Sequence, residues 1–239
     1  MRKAPALVVV LGVFAALVTT VPIGYLAVRL IQGWQAALAE ILRFRTLELL
    51  GNTGLLVLAV TASALVIGFS QAWLTTKTNV VFAAGFAVSA ALPLAIPSYV
   101  MALSYISIFN GLSGFFAAWL VLTLATSPLV FLAVTAALAR LDSSSEEVAR
   151  TLGFGKLQVL FKVTWPQVRT AATASGLLVA LYVLGEFGAI ALLRYDTFTR
   201  AIHNAYRGSF DRTSAAALAV VLLLITLLVI WFERKYRGV

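Results

Sequence analysis

Apolar residues gather into six long runs along this chain, at 6–26, 53–74, 80–99, 115–139, 171–193 and 215–232, and polar residues are held mostly between them. The hydrocarbon core of a bilayer is about 30 Å thick and takes roughly 20 apolar residues in a helix. Each run therefore predicts one membrane-spanning helix. Arg2 and Lys3 precede the first run as they would in a signal peptide, yet the run is long and no small-residue cleavage pattern follows, so it reads as an uncleaved helix. The expected fold is all-α and polytopic, a single transmembrane domain over residues 1–239 with about six spans.

The stretch between the fourth and fifth runs, 140–170, breaks the pattern and contains SSSEEVARTLGFGKLQVLFKVTWPQVR. Ser143 and Ser144 each have a glutamate three residues on, Glu146 and Glu147, which is the spacing of a capping box that starts a helix. That helix is expected to run to Leu152 and stop at Gly153, where a left-handed residue is cheap only without a β-carbon. A second short helix is expected over 156–163, ended by Pro166, which disfavours helical geometry at Trp165. Val148 and Leu152 on the first helix and Leu157, Leu160 and Phe161 on the second recur at helical spacing and make one apolar face. Helices this short are marginal in water alone. The face either rests on lipid headgroups, which Lys156, Lys162 and Arg169 would favour, or is a knob for a hydrophobic groove in a soluble partner.

Composition supports the membrane reading and narrows the chemistry. Charged residues make up 11% of the chain and hydrophobic ones 62%, against about 25% and 45–50% in soluble domains. There is no cysteine and a single histidine, His203, which removes disulfides and Cys-ligated metals and leaves little for metal or acid–base constellations. No cofactor or metal is expected on this chain. The net charge of +9 comes from basic residues dispersed at loop ends, without the basic stripe and interleaved aromatics of a nucleic-acid surface. With both termini cytoplasmic, eleven of the eighteen Lys and Arg residues fall on that side, among them Lys77, Arg150 and Lys156, and seven, including Arg43, Arg45 and Arg200, on the other. That asymmetry puts 140–170 in the cytoplasm.

Proline and glycine inside the spans mark places where the backbone is interrupted or helices approach closely. Pro93 and Pro97, four residues apart, are expected to bend one face of the third helix. Gly185 and Gly188 flank Glu186, the only acidic residue deep inside an expected span. A charged side chain at the bilayer centre costs roughly 2.5–3.5 kcal/mol on the insertion scale. Glu186 therefore either lines a wet pathway, with Gly185, Gly188, Pro93 and Pro97 as further candidates, or holds two helices together through hydrogen bonds. One carboxylate without His, Cys or Tyr partners makes a poor site for a hard trivalent cation.

Glu147, Ala149, Gly153 and Pro166 stand at the spacing of the EAA loop of bacterial ABC-importer permeases: Glu-Ala-Ala, three residues, Gly, nine residues, Ile, any residue, Leu, Pro. Val148, Val163 and Trp165 replace Ala, Ile and Leu, all apolar departures. The chain resembles that family further in placing the loop between the fourth and fifth of six helices. The resemblance implies a type I ABC-importer permease fold in the bacterial inner membrane. It implies that Glu147, Val148, Ala149, Leu152, Gly153, Leu157, Phe161 and Pro166 belong to coupling helices docked on a separate ATPase subunit, which uses the ATP. It also implies a second permease half, as homodimer, heterodimer or fused half, and a periplasmic or lipid-anchored binding protein that delivers substrate.

LGEFGAIALLRYDTFTRAIHNAY, 184–206, is similar to the matching segment of iron(III)-type permeases. Its GEFG part is shared with molybdate, sulfate and thiamine relatives, whereas RYDTFTRAI, 194–202, points to iron(III); His203 stands where that branch has Tyr. Molybdate, sulfate, thiamine or another small solute stay open as alternatives. So do a secondary transporter or channel, which would carry more intramembrane charge, and a membrane enzyme, which would need a convergent polar set. GFGK at 153–156 lacks the spacing and hydroxyl of a phosphate-binding loop. The chain is expected to be either a half-size subunit or one half of a fused or split protein.

Overall fold

The computed structural model describes residues 6–141, 144–208 and 211–237, and the regular elements among them are all helical. In chain order they are α1 (Ala6–Gln32), α2 (Trp34–Ile41), α3 (Phe44–Lys77), α4 (Ala83–Ala91), α5 (Ser98–Ile108), α6 (Gly114–Leu138), α7 (Ser144–Thr151), α8 (Lys156–Val159), α9 (Trp165–Gly185), α10 (Gly188–Leu192), α11 (Phe198–Arg207) and α12 (Arg212–Arg237). A 3₁₀ turn, Leu92–Ala95, extends α4, and a π turn, Leu160–Thr164, joins α8 to α9. Five helical stretches are long and apolar enough to cross a membrane, and a bent pair supplies a sixth.

The core is the three-helix contact of α3, α6 and α9. Val60 and Ala64 of α3, Val121, Val130 and Val134 of α6, and Val168 and Val179 of α9 are fully buried there. Small residues set the approach. A β-carbon on Gly68 would lie 2.6 Å from the Val130 β-carbon and 2.7 Å from the Ser127 carbonyl oxygen, so glycine is what lets α3 press against the α6 backbone. Pro128 in α6 has no N–H to give to the Leu124 carbonyl. The Ser127 hydroxyl donates to that carbonyl at 3.4 Å instead, a side chain re-satisfying a freed backbone group inside a span.

Two of the expected spans are broken. In the third, Pro93 and Pro97 do not bend a continuous helix. Ile96 is extended, with φ −102° and ψ 119°, as a residue before proline prefers, and the chain turns by 100° before α5 begins. The fifth run also stops short of Leu193: α9 ends at Gly185, Glu186 is extended with φ −72° and ψ 127°, and α10 follows as a separate element. Helical rise puts Glu186 about 30 Å along the axis from Trp165. It sits at the far end of the span rather than deep within it.

At that far end α2 and α11 pack on α12. Asp211 starts α12, accepting the Thr213 and Ser214 N–H groups at 3.1 and 3.0 Å and the Ser214 hydroxyl at 2.7 Å; these bonds hold its carboxyl below the usual range. Arg43 pairs with Glu40 at 2.8 Å, Arg45 with Asp196 at 2.8 Å, and Arg200 with the same Asp196. Part of the basic charge at this end is thus paired locally with Glu40 and Asp196.

Candidate functional site

α7 reverses through a C-terminal turn that the sequence dictates. Gly153 has φ +87°. The Phe154 N–H donates to the Ala149 carbonyl at 3.1 Å and the Gly153 N–H to that of Arg150 at 3.0 Å, the paired bonds of a Schellman motif. Gln158 then accepts the Gly155 N–H at 3.1 Å and starts α8, and Lys162 lies over the Phe154 ring, 5.2 Å from its centre. Ala149 and Val159 are buried in the hook, while Val148, Leu152, Leu157 and Phe161 stand 57–71% exposed. Val148 borders a hollow with Val163 and Pro166, and Phe161 borders another with Leu65, Phe69 and Trp165.

Pro166 does not end the second helix. It is at the start of α9, and Trp165 keeps helical angles of −55° and −48°. A proline in the first turn has no intrahelical N–H to lose, and the wide π turn ahead of it leaves space for the ring against the preceding carbonyl. The second loop helix is therefore continuous with a span, 30 residues from Lys156 to Gly185.

Of the two adjacent glutamates, Glu147 is exposed and Glu146 is buried. One Glu146 carboxylate oxygen accepts from Lys77 Nζ at 2.9 Å and from the Thr164 hydroxyl at 2.9 Å. Burial alone would push this carboxyl up. The Lys77 and Thr164 hydrogen bonds and the charges of Lys77 and Arg150 outweigh it and hold the group below its usual range. This clamp fastens α7 to the end of α3 and to the π turn. Sequence reasoning gave Glu146 only a capping role and did not find Lys77 and Thr164 as its partners, because nothing in linear spacing links them; Ser143, the cap expected for Glu146, lies outside the described residues.

The second candidate cluster forms where the two broken spans meet. The Glu186 carboxylate accepts the Ser98 hydroxyl, at the start of α5, and the Ala189 N–H of α10, each at 2.9 Å. Its backbone carbonyl accepts the Thr199 hydroxyl of α11 at 2.7 Å. A β-carbon on Gly188 would lie 3.1 Å from that of Tyr99, so α5 and α10 approach closely. Pro97 and Gly188 belong to this junction. Gly185 is exposed with open space beside it, and Pro93 borders a separate hollow with Met101, Tyr105 and Leu124.

Glu186→Gln is expected to keep the chain assembled, since an amide oxygen still accepts the Ala189 N–H. Glu186→Ala removes a helix cap, at about 1 kcal/mol, and should lower the thermal midpoint of the purified protein. A lower midpoint for Gln than for Ala would contradict this account.

The segment RYDTFTRAI is used structurally. The Tyr195 hydroxyl donates to the Asn52 carbonyl at 3.2 Å, and the N–H of fully buried Phe198 donates to Thr53 Oγ1 at 3.2 Å. Asp196 joins Arg45 and Arg200. His203 lies against Phe187, with ring centres 4.5 Å apart and the rings tilted by 35°. Among the described residues no group of three or more His, Asp or Glu side chains could hold a metal ion.

Residues 64–236 match the family described as binding-protein-dependent transport system inner membrane component. The Fe(3+)-transport system permease protein FbpB 2 of Haemophilus influenzae is 36% identical over 238 residues, 99% of this chain and 47% of that protein. This chain thus spans about half the length of that relative. The sulfate transport system permease protein CysT of Salmonella typhimurium is 31% identical over 186 residues, 70% of this chain and 67% of the relative. Among solved structures, a bacterial ABC transporter involved in the import of the acidic polysaccharide alginate aligns over 97% of this chain and 95% of its own, with TM-score 0.78 and 11% identity. The MetNI methionine ABC transporter, in an inward-facing conformation, aligns over 80% and 94%, with TM-score 0.65 and 18% identity. At these identities the likeness establishes the fold alone: that of the membrane subunits of ABC importers.

Proposed function

The chain belongs to the binding-protein-dependent transport system inner membrane component family, and from that premise we propose that it supplies half of the membrane pathway of an ATP-driven iron(III) importer. A second permease half completes the pathway, two ATPase subunits use the ATP, and a binding protein delivers iron(III) to the face of α2 and α11. The loop and both termini lie in the cytoplasm of a bacterial inner membrane. Iron(III) is supported over sulfate by the 36% identity over 99% of the chain.

The observation that carries the reading is the uncovered apolar hook. Val148, Leu152 and Leu157 are exposed on a segment whose base is clamped to α3, which is the form of a rigid knob for a hydrophobic groove. The clamp gives the knob a mechanical path: a push on α7 reaches α3 through Lys77 and α9 through Thr164. Purified with a partner ATPase subunit and reconstituted with an iron(III)-binding protein, the chain should take up iron(III) only with ATP. Single cysteines at Ser144 and Thr199 should label from opposite faces of the vesicle. ATP-dependent uptake of sulfate instead would replace the substrate, and failure to retain any ATPase would overturn the coupling role.

A further inference from the structure

We propose that the basic cavity beside Lys77 and the apolar groove next to it together bind one anionic phospholipid, headgroup in the cavity and acyl chain in the groove. The proposal rests on the reading above only for the side of the membrane. The cavity, about 300 Å³, is lined by Lys77, Arg150 and Lys156 together with Glu146, Trp73 and Asn79, and its wall is mostly polar. Three cations face one carboxylate, so after the Lys77–Glu146 pair is counted a surplus of two positive charges remains.

The groove, about 360 Å³, is almost wholly apolar and is lined by Leu65, Val66, Phe69 and Trp165. Leu160 borders both spaces. The two lie in line along α3, because Val66, Ser70, Trp73 and Lys77 recur at spacings of four, three and four and so share one face of the helix. From Lys77, where α3 ends beside the loop, to Val66 the helix rises about 16 Å into the span.

That arrangement has the polarity of a membrane lipid: charge at the membrane surface and an apolar track running inward from it. A free phosphate would use the cavity and leave the groove without a purpose. Basic pockets between membrane helices on the cytoplasmic side recognise anionic headgroups, and a tryptophan at the cavity edge suits the interface.

The test uses the full chain assembled with its ATPase in phosphatidylcholine nanodiscs, titrated with phosphatidylglycerol or phosphatidylcholine brominated on the acyl chains. Brominated phosphatidylglycerol should quench tryptophan fluorescence at a lower mole fraction than brominated phosphatidylcholine, and Trp165→Phe should remove that selective part. Arg150→Gln/Lys156→Gln should reduce the preference about tenfold or more, from roughly 1 kcal/mol per basic residue near an anionic surface. Glycerol phosphate in solution should not compete. Equal quenching by the two lipids, or an unchanged preference in the double variant, overturns the proposal. Competition by glycerol phosphate would make the cavity a small-phosphate site and overturn the lipid assignment. Retention of the ATPase in the same samples reports on coupling separately, so loss of docking with the lipid preference intact sinks only the coupling reading.

Discussion

Gly153→Val is expected to abolish energised uptake and ATPase co-purification while leaving insertion of the chain unchanged. Nothing lies within 4 Å of where a β-carbon on Gly153 would stand, so the effect is conformational rather than steric. At φ +87° a β-carbon-bearing residue is disfavoured by roughly 1–2 kcal/mol, and valine, branched at that carbon, is among the poorest choices. The hook has little to absorb this. α7 is a single short helix, and the turn that sets it against α8 is held by two backbone hydrogen bonds. With the Schellman bonds lost, Leu152 and Leu157 no longer present the same surface to a groove. Gly153→Asn separates conformation from side-chain size, because asparagine tolerates the left-handed region; it should keep most docking and uptake. A Val variant that binds its ATPase and transports like the parent would refute the role of the turn.

That turn was legible because a glycine after a capped amphipathic stretch has few other uses, and the six apolar runs were legible because a bilayer demands them. What escaped the sequence depends on contacts at long separation. Pro97 breaks the helix rather than kinking it, with Ile96 extended before it, and Ser98 just after the break donates its hydroxyl to Glu186 far along the chain. The same bond explains why Glu186 is no lone charge in hydrocarbon: the helix ends at Gly185, and the carboxylate serves both the start of α10 and the start of α5. Its hydrogen bonds to Ser98 and Ala189 are of the kind that holds two helices together. Pro166 misled in the opposite direction, since one π turn converted an expected stop into the start of α9. RYDTFTRAI read as a mark of substrate, yet Tyr195, Asp196 and Phe198 are engaged in fastening α11 to α3. Residues that identify a branch can do so by preserving its architecture.

Lys77→Met is expected to weaken the attachment of the loop more than any single change on its exposed face. Lys77 and Glu146 are 18% and 11% exposed, and removing Lys77 takes from Glu146 its hydrogen-bonded counter-charge and leaves it only the charges of Arg150 and Lys156 at the cavity wall, at a cost of about 1–3 kcal/mol. Glu146 would keep the Thr164 hydroxyl but lose its main counter-charge, so the carboxyl would draw a proton or pull α7 toward water. Either way the hook loosens at its base, and α7 should become protease-sensitive and retain less of a partner ATPase, although the exposed apolar side chains of the hook are untouched. Lys77→Met/Glu146→Met tests the cause. With both charges gone the desolvation penalty goes too, and the double variant should be better ordered than Lys77→Met alone. Acid should imitate the single variant in the parent protein. Because the folded carboxyl sits below the ordinary value of 4.5, the clamp contributes fully above that pH and is lost as pH falls through the lower folded value. Limited proteolysis across an acid series reads both effects. If Lys77→Met leaves the loop as resistant as the parent at neutral pH, or the double variant is worse than the single, the clamp does not hold α7 to α3.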